Sequence, residues 1–101
     1  MKSYNVHFEV KTRKEQLEHY KGEVSRYEDE LYDTCKLIEQ VDNGVINMDD
    51  EEYYELCCCA DAIKILRDAE SDKVYWLEKC IEHLEEVEEM YQYLENEGVE
   101  L

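Results

Sequence analysis

A chain of 101 residues with no proline and only three glycines, Gly22, Gly44 and Gly98, offers very few places at which a helix can stop. Long helices are therefore expected. From about Thr12, the residues Leu17, Tyr20, Val24, Tyr27, Leu31, Thr34, Ile38 and Val41 recur at alternating steps of three and four, a heptad seam of about four repeats. Gly22 costs this helix about 1 kcal/mol relative to alanine, which long packing absorbs. Asn43-Gly44 supplies a left-handed stop, so the spacing predicts a first helix over 12–43. Asn47, Asp49 and Asp50 then precede the next apolar-periodic stretch. Glu52 lies three residues after Asp49, which matches a helix start with favourable charge on its dipole.

Over 49–69, Tyr53, Leu56, Cys59 or Ala60, Ile63 and Leu66 share one face, and over 72–97 Leu77, Cys80 or Ile81, Leu84, Val87, Tyr91 and Leu94 do the same. Between them Asp68 to Asp72 is polar but holds no strong breaker, so a turn, a kink or an unbroken helix all satisfy the pattern. Unbroken, residues 49 to 96 would measure about 72 Å at the α-helical rise. The fold class is mainly α, with coiled-coil-like packing. A three-helix bundle is the favoured arrangement and a long helical hairpin the other. The N-terminus is the exception. Tyr4, Val6, Phe8 and Val10 alternate with Asn5, His7, Glu9 and Lys11, which reads as a half-buried strand over 3–11. Such a strand needs a mate, either Val45-Ile46 or the same strand of a second copy.

Hydrophobic residues make up 44% and aromatics 11%, too much sticky surface for a chain disordered by charge, and the length fits one acidic helical domain over 1–101. No run of 18 apolar residues exists, and Met1-Lys2-Ser3-Tyr4 does not lead into an apolar signal segment, so no membrane contact and a cytoplasmic location are expected. Cys35, Cys57, Cys58, Cys59 and Cys80 are odd in number and partly adjacent, which argues against a disulfide framework and for reduced thiols that fill core space. Cys80 and His83 have the spacing to touch one metal ion, with Cys35 or Cys59 as further ligands. Consecutive Cys57, Cys58 and Cys59, however, diverge by about 100° on a helix, and no Cys-x-x-Cys pair exists. No metal or cofactor is expected. Acids are abundant but undifferentiated, and His7, His19 and His83 have no nucleophile at a recognisable spacing, so no enzymatic activity and no catalytic residue are expected.

The net charge is −17, and it is unevenly placed: residues 1–48 hold ten acids and seven bases, residues 49–101 eighteen acids and four bases, with no Lys or Arg after Lys79. Direct nucleic-acid binding is disfavoured by that charge, and a basic partner is favoured. With Leu77, Leu84 and Tyr91 on the seam, Glu78, Glu82, Glu85, Glu86 and Glu89 form a stripe on the solvent side. From Glu82 to Glu97 seven carboxylates cover about 24 Å of helix, close to the density of phosphates on one DNA strand at about 3.4 Å each. A groove built to bind phosphate would release its counterions equally well against this stripe. The expected contact residues are Glu78, Glu82, Glu85, Glu86, Glu89, Tyr93, Glu95 and Glu97, together with Asp49, Asp50, Glu51 and Tyr54 at the start of the second helix. Tyr32, Tyr53, Tyr54, Tyr75 and Tyr93, partly off the seams, offer rigid area for Arg and Lys.

A short, strongly acidic, helix-rich, tyrosine-bearing chain without a catalytic motif resembles, in overall character and over its whole length, the phage-encoded anti-defence proteins, among them Ocr-type DNA mimics and many anti-CRISPR proteins. The resemblance implies a non-enzymatic inhibitor that occupies a nucleic-acid-binding surface of a bacterial defence complex, such as a CRISPR-Cas effector or another nuclease, in the host cytoplasm. The alternative expectation is a homodimeric coiled-coil structural or adaptor protein whose charge serves solubility.

Overall fold

In the computed structural model of the chain, residues 3–98 are described, and they form two helices, α1 over Ser3–Asp42 and α2 over Asp50–Asn96, packed as a helical hairpin. No strand occurs among the described residues. The seam of α1 behaves as its spacing predicts: Leu17 is buried, and Tyr20, Val24, Tyr27, Leu31, Thr34, Ile38 and Val41 are all half-buried. The same steps of three and four continue backwards through Arg13 to Val10 and Val6, which are 4% and 0% exposed.

That continuation overturns the strand expected over 3–11. A lone strand leaves its amides and carbonyls without partners, whereas a helix satisfies them internally. At about 100° per residue, Val6 and Val10 share the buried side, while Phe8 is turned outward and is 65% exposed. The side chain of Tyr4 lies outside the described residues.

α1 ends as Asn43-Gly44 requires. Gly44 takes φ +74, the Gly44 amide donates to the Val41 carbonyl at 3.1 Å, and the Val45 amide donates to the Gln40 carbonyl at 2.9 Å, the two bonds of a Schellman stop. Asp49 then caps α2: its Oδ1 accepts the Glu52 amide at 2.8 Å, and its carbonyl accepts the Tyr53 amide at 2.9 Å. Asp50, Glu51 and Glu52 occupy the first turn, where the helix dipole favours negative charge.

The separate helices expected over 49–69 and 72–97 are one helix, so the hairpin replaces the three-helix bundle. The reason is register. From Tyr53 the steps of three and four run unbroken through Leu56, Ala60, Ile63, Arg67, Glu70, Val74, Leu77, Ile81, Leu84, Glu88 and Tyr91, all buried or half-buried. Arg67 and Glu70 occupy seam positions and are half-buried, and the Arg67 guanidinium donates to Asp68 Oδ1 at 3.1 Å. α2 is followed by a turn that closes at Gly98, which takes φ +79, its amide donating to the Glu95 carbonyl at 3.1 Å.

The chain divides into two compact units, a terminal unit of Met1–Tyr20 with Asp72–Leu101 and a central unit of Lys21–Ser71. In the terminal unit the core is Val6, Val10, Leu17 and Ile81, with Val74, Leu77, Leu84, Val87 and Tyr91 packed on it. In the central unit Ala60 is buried at 4% exposure. The cysteines do not fill core space as expected: Cys35, Cys58, Cys59 and Cys80 are exposed, Cys57 is half-buried, and all five are free thiols. The seam takes Ala60 and Ile81 rather than their neighbours Cys59 and Cys80. No helix among the described residues is long and apolar enough to cross a membrane.

Two measurements of stability check this arrangement. By denaturant unfolding, Val6→Ala costs about 2 kcal/mol, while Phe8→Ala stays within about 0.5 kcal/mol; equal losses would point back to a strand. Gly44→Ala destabilises by about 1 kcal/mol through its left-handed backbone, whereas Gly22→Ala, mid-helix with open space around it, stabilises by about the same amount.

Candidate functional site

In the terminal unit, α2 carries its carboxylates on one flank of the buried seam. Relative to Ile81, the helical period places Glu85, Glu78, Glu89, Glu82 and Glu86 at about 40°, 60°, 80°, 100° and 140°, and all five are exposed. Tyr93 continues this flank at about 120° and is 63% exposed. Glu97 follows in the turn closed by Gly98 and is also exposed. Glu95 does not belong with them, because its position falls about 40° to the other side of Ile81. Eleven residues separate Glu78 from Glu89, about 17 Å of helix. Five carboxylates over that length still approach the spacing of phosphates along one strand of DNA, about 3.4 Å apart.

The flank begins beside the core. Glu78, Glu82 and Glu85 border a shallow groove with Lys14, Leu17 and Ile81. Lys14 of α1 brings its Nζ to 3.6 Å from Glu85, and Lys79 brings its own to 3.7 Å from Glu82. Glu88, on the seam side, has a side chain only 15% exposed, and it meets His7 Nδ1 at 2.9 Å. Sequence spacing along α2 shows seven successive Glu positions from 82 to 97 without a base, but not that α1 supplies Lys14 and His7 from across the hairpin. The signal was present in the complementary signs of the two helices and depends on knowing the pairing. These ion pairs lie at the surface, where each contributes about 1 kcal/mol or less.

Asp49, Asp50, Glu51 and Tyr54 belong to the central unit and have local roles. Asp49 is the cap of α2, and Asp50 and Glu51 complement its dipole. Tyr54 is 70% exposed, and a hydrogen bond with Cys58 pushes its phenol above the ordinary range. Its neighbour Tyr53 is half-buried and ties α2 to the end of α1, its hydroxyl donating to Asp42 Oδ1 at 2.7 Å. That hydrogen bond, to a carboxylate that disfavours a phenolate beside it, pushes the Tyr53 phenol up to about 12.

Cys80 and His83 are both exposed, and no group of three or more side chains able to hold a metal ion occurs among the described residues. No buried side-chain polar atom there lacks a hydrogen-bond partner. The carboxylate flank is a charged face with the exposed ring of Tyr93 on the same side, which suits ion pairs and cation–π contacts. Sequence reasoning missed Trp76, which lies 67% exposed on the flank away from the carboxylates. Its place one residue before the seam residue Leu77 was the available sign.

The Tyr53 contact has a definite pH dependence. A phenol whose pKa rises on folding stabilises the fold below its unfolded value of about 10, and that contribution is lost as the pH climbs toward 12. The melting temperature of Tyr53→Phe therefore lies below that of the parent protein at neutral pH, and the gap narrows above about pH 10. No known family's model matches the chain, and neither curated proteins nor solved structures provide a significant match.

Proposed function

We propose that the chain is a non-enzymatic inhibitor whose carboxylate flank takes the place of nucleic acid on a basic surface of a bacterial defence complex, such as a CRISPR-Cas effector or another nuclease. The observation that carries this reading is the row Glu78, Glu82, Glu85, Glu86 and Glu89, exposed on one side of a single helix in the terminal unit. A regular helix fixes the spacing of these charges in advance, so little ordering entropy remains to be lost when a partner docks. Tyr93 extends the row with an exposed ring at the same side of the helix, where an Arg of the partner would find both a carboxylate and a π face. Self-repulsion at −17 opposes the fold, and docking against Lys and Arg relieves it while releasing the partner's counterions. Glu85 is shared with Lys14 and Glu82 with Lys79, so Glu86 and Glu89 contribute most of the attraction to a partner.

The test is capture of basic nucleic-acid-binding complexes from a bacterial lysate at low and high salt, followed by competition of the captured complex with its own DNA or RNA. Binding weakens with salt. In the triple variant Glu82→Lys, Glu86→Lys and Glu89→Lys capture is lost while helicity by circular dichroism is kept. Neutralising each of these residues to Gln lowers the slope of log affinity against log salt by about one. Capture that survives charge reversal, or a captured complex that still binds its nucleic acid, discards the electrostatic mechanism.

A further inference from the structure

The turn that joins α1 to α2 holds a chemically labile pair. Asparagine is a thermolabile residue, because its side-chain amide is open to attack by the backbone nitrogen of the residue that follows. Asn5 precedes Val6, Asn47 precedes Met48 and Asn96 precedes Glu97, so at each of these a side chain crowds the attacking nitrogen. Asn43 precedes a glycine. It is exposed, and the space beside the Gly44 Cα is open.

The same turn restrains the reaction. The nitrogen that must attack is the Gly44 amide, and in the closed turn it donates its hydrogen to the Val41 carbonyl at 3.1 Å. Three further contacts hold the turn shut. The Val45 and Ile46 amides both donate to the Gln40 carbonyl, at 2.9 and 3.2 Å, and the Tyr53 hydroxyl ties Asp42, the residue before Asn43, to the start of α2 at 2.7 Å. All of these groups belong to the central unit. Exposed turns open at far lower free energy than a packed core, so the Gly44 amide is released without unfolding of the helices.

We propose that Asn43 is a site of spontaneous deamidation whose rate is set by the opening of this turn, with the Tyr53 contact as its latch. In the open turn the Gly44 nitrogen gives up its proton and bonds to Cγ of Asn43. The bond from Cγ to Nδ2 breaks, and Nδ2 leaves with that proton as ammonia. Water then opens the five-membered imide at either carbonyl, giving aspartate or isoaspartate. Either product adds a negative charge to a chain already at −17, beside Asp42 and at the end of α1, where the helix dipole opposes an anion. Isoaspartate also lengthens the backbone by a methylene before Gly44, which displaces the Gly44 amide from the Val41 carbonyl. The modification thus weakens the stop that ends α1, and it is independent of the carboxylate flank.

The test is peptide mapping by mass spectrometry during incubation of the full chain in mildly alkaline buffer, with and without unfolding guanidinium chloride. In buffer Asn43 converts ahead of Asn5, Asn47 and Asn96, to both aspartate and isoaspartate. In guanidinium its rate rises by about tenfold or more, because every Gly44 amide is then free. Tyr53→Phe speeds the reaction in buffer by about threefold or more, as loss of a hydrogen bond to a carboxylate requires, and leaves the guanidinium rate unchanged. Val6→Ala, which weakens the core of the terminal unit, leaves the rate in buffer unchanged and so separates opening of the turn from unfolding of the chain. Conversion no faster at Asn43 than at the other asparagines, a native rate equal to the unfolded one, or acceleration by Val6→Ala equal to that by Tyr53→Phe overturns the proposal.

Discussion

Everything in this structure depends on a thin apolar contact between two antiparallel segments, Val6, Val10 and Leu17 of α1 against Val74, Leu77, Ile81 and Leu84 of α2. A fully buried valine contributes about 2 kcal/mol, and here only Val6 is completely covered. Against that stands the self-repulsion of a chain with 28 acids and 11 bases. Helix propensity alone does not hold segments of this kind together, because most helical stability in water comes from packing an amphipathic face. The seam around Ile81 is apolar, and the polar groups that approach it, Lys14 with Glu85 and His7 with Glu88, meet in pairs.

Two helices cannot cover one another as three can. Each has a single buried side, and the remaining circumference stays in contact with water, which is why large apolar residues such as Ile65, Trp76 and Met90 are exposed in a chain that is otherwise so polar. A third helix would have buried Ile65 or Trp76. In its absence, the properties of the two flanks of α2 diverge, one rich in carboxylates and the other, along the row from Trp76 to Leu94, without any.

The heptad spacing made most of the fold legible. Every residue of the α1 seam from Leu17 to Val41 is buried or half-buried, and the stop at Gly44 and the cap at Asp49 both form. The N-terminal strand was misread because Val6 and Val10 are four apart, a separation that fits both a period of two and a helical turn; only the distance back from Leu17 tells the two apart. Near residue 70 the sequence leaves a turn, a kink and an unbroken helix all open, because Arg67 and Glu70 stand at seam positions where polarity mimics a loop although long stems can pack; the unbroken helix is the one formed. Cysteine is usually buried, but a residue's register position outweighs its type when the adjacent seam position already holds Ala60 or Ile81. For the candidate site, the stripe itself was legible from spacing along one helix. The contribution of Lys14 was not, since it depends on how the two helices align. Nor was the departure of Glu95 from the stripe, which becomes evident once Ile81 rather than Cys80 is fixed as the seam residue.

The two surfaces of α2 have a common origin in where the charge was placed. Had its acids been spread evenly around the helix, no side would carry charge dense enough to approach the spacing of a phosphate chain. Glu78, Glu82, Glu85, Glu86 and Glu89 instead lie within about 100° of arc. About 130° separates the middle of that arc from the middle of the row from Trp76 to Leu94, and their nearest members, Glu86 and Met90, are about 40° apart. The cost is repulsion between neighbouring carboxylates at three- and four-residue steps, a few tenths of a kcal/mol per pair. The apolar seam bears that cost, which makes the thin core and the dense charge two sides of one constraint: the core must hold charges that only a cationic surface would fully neutralise.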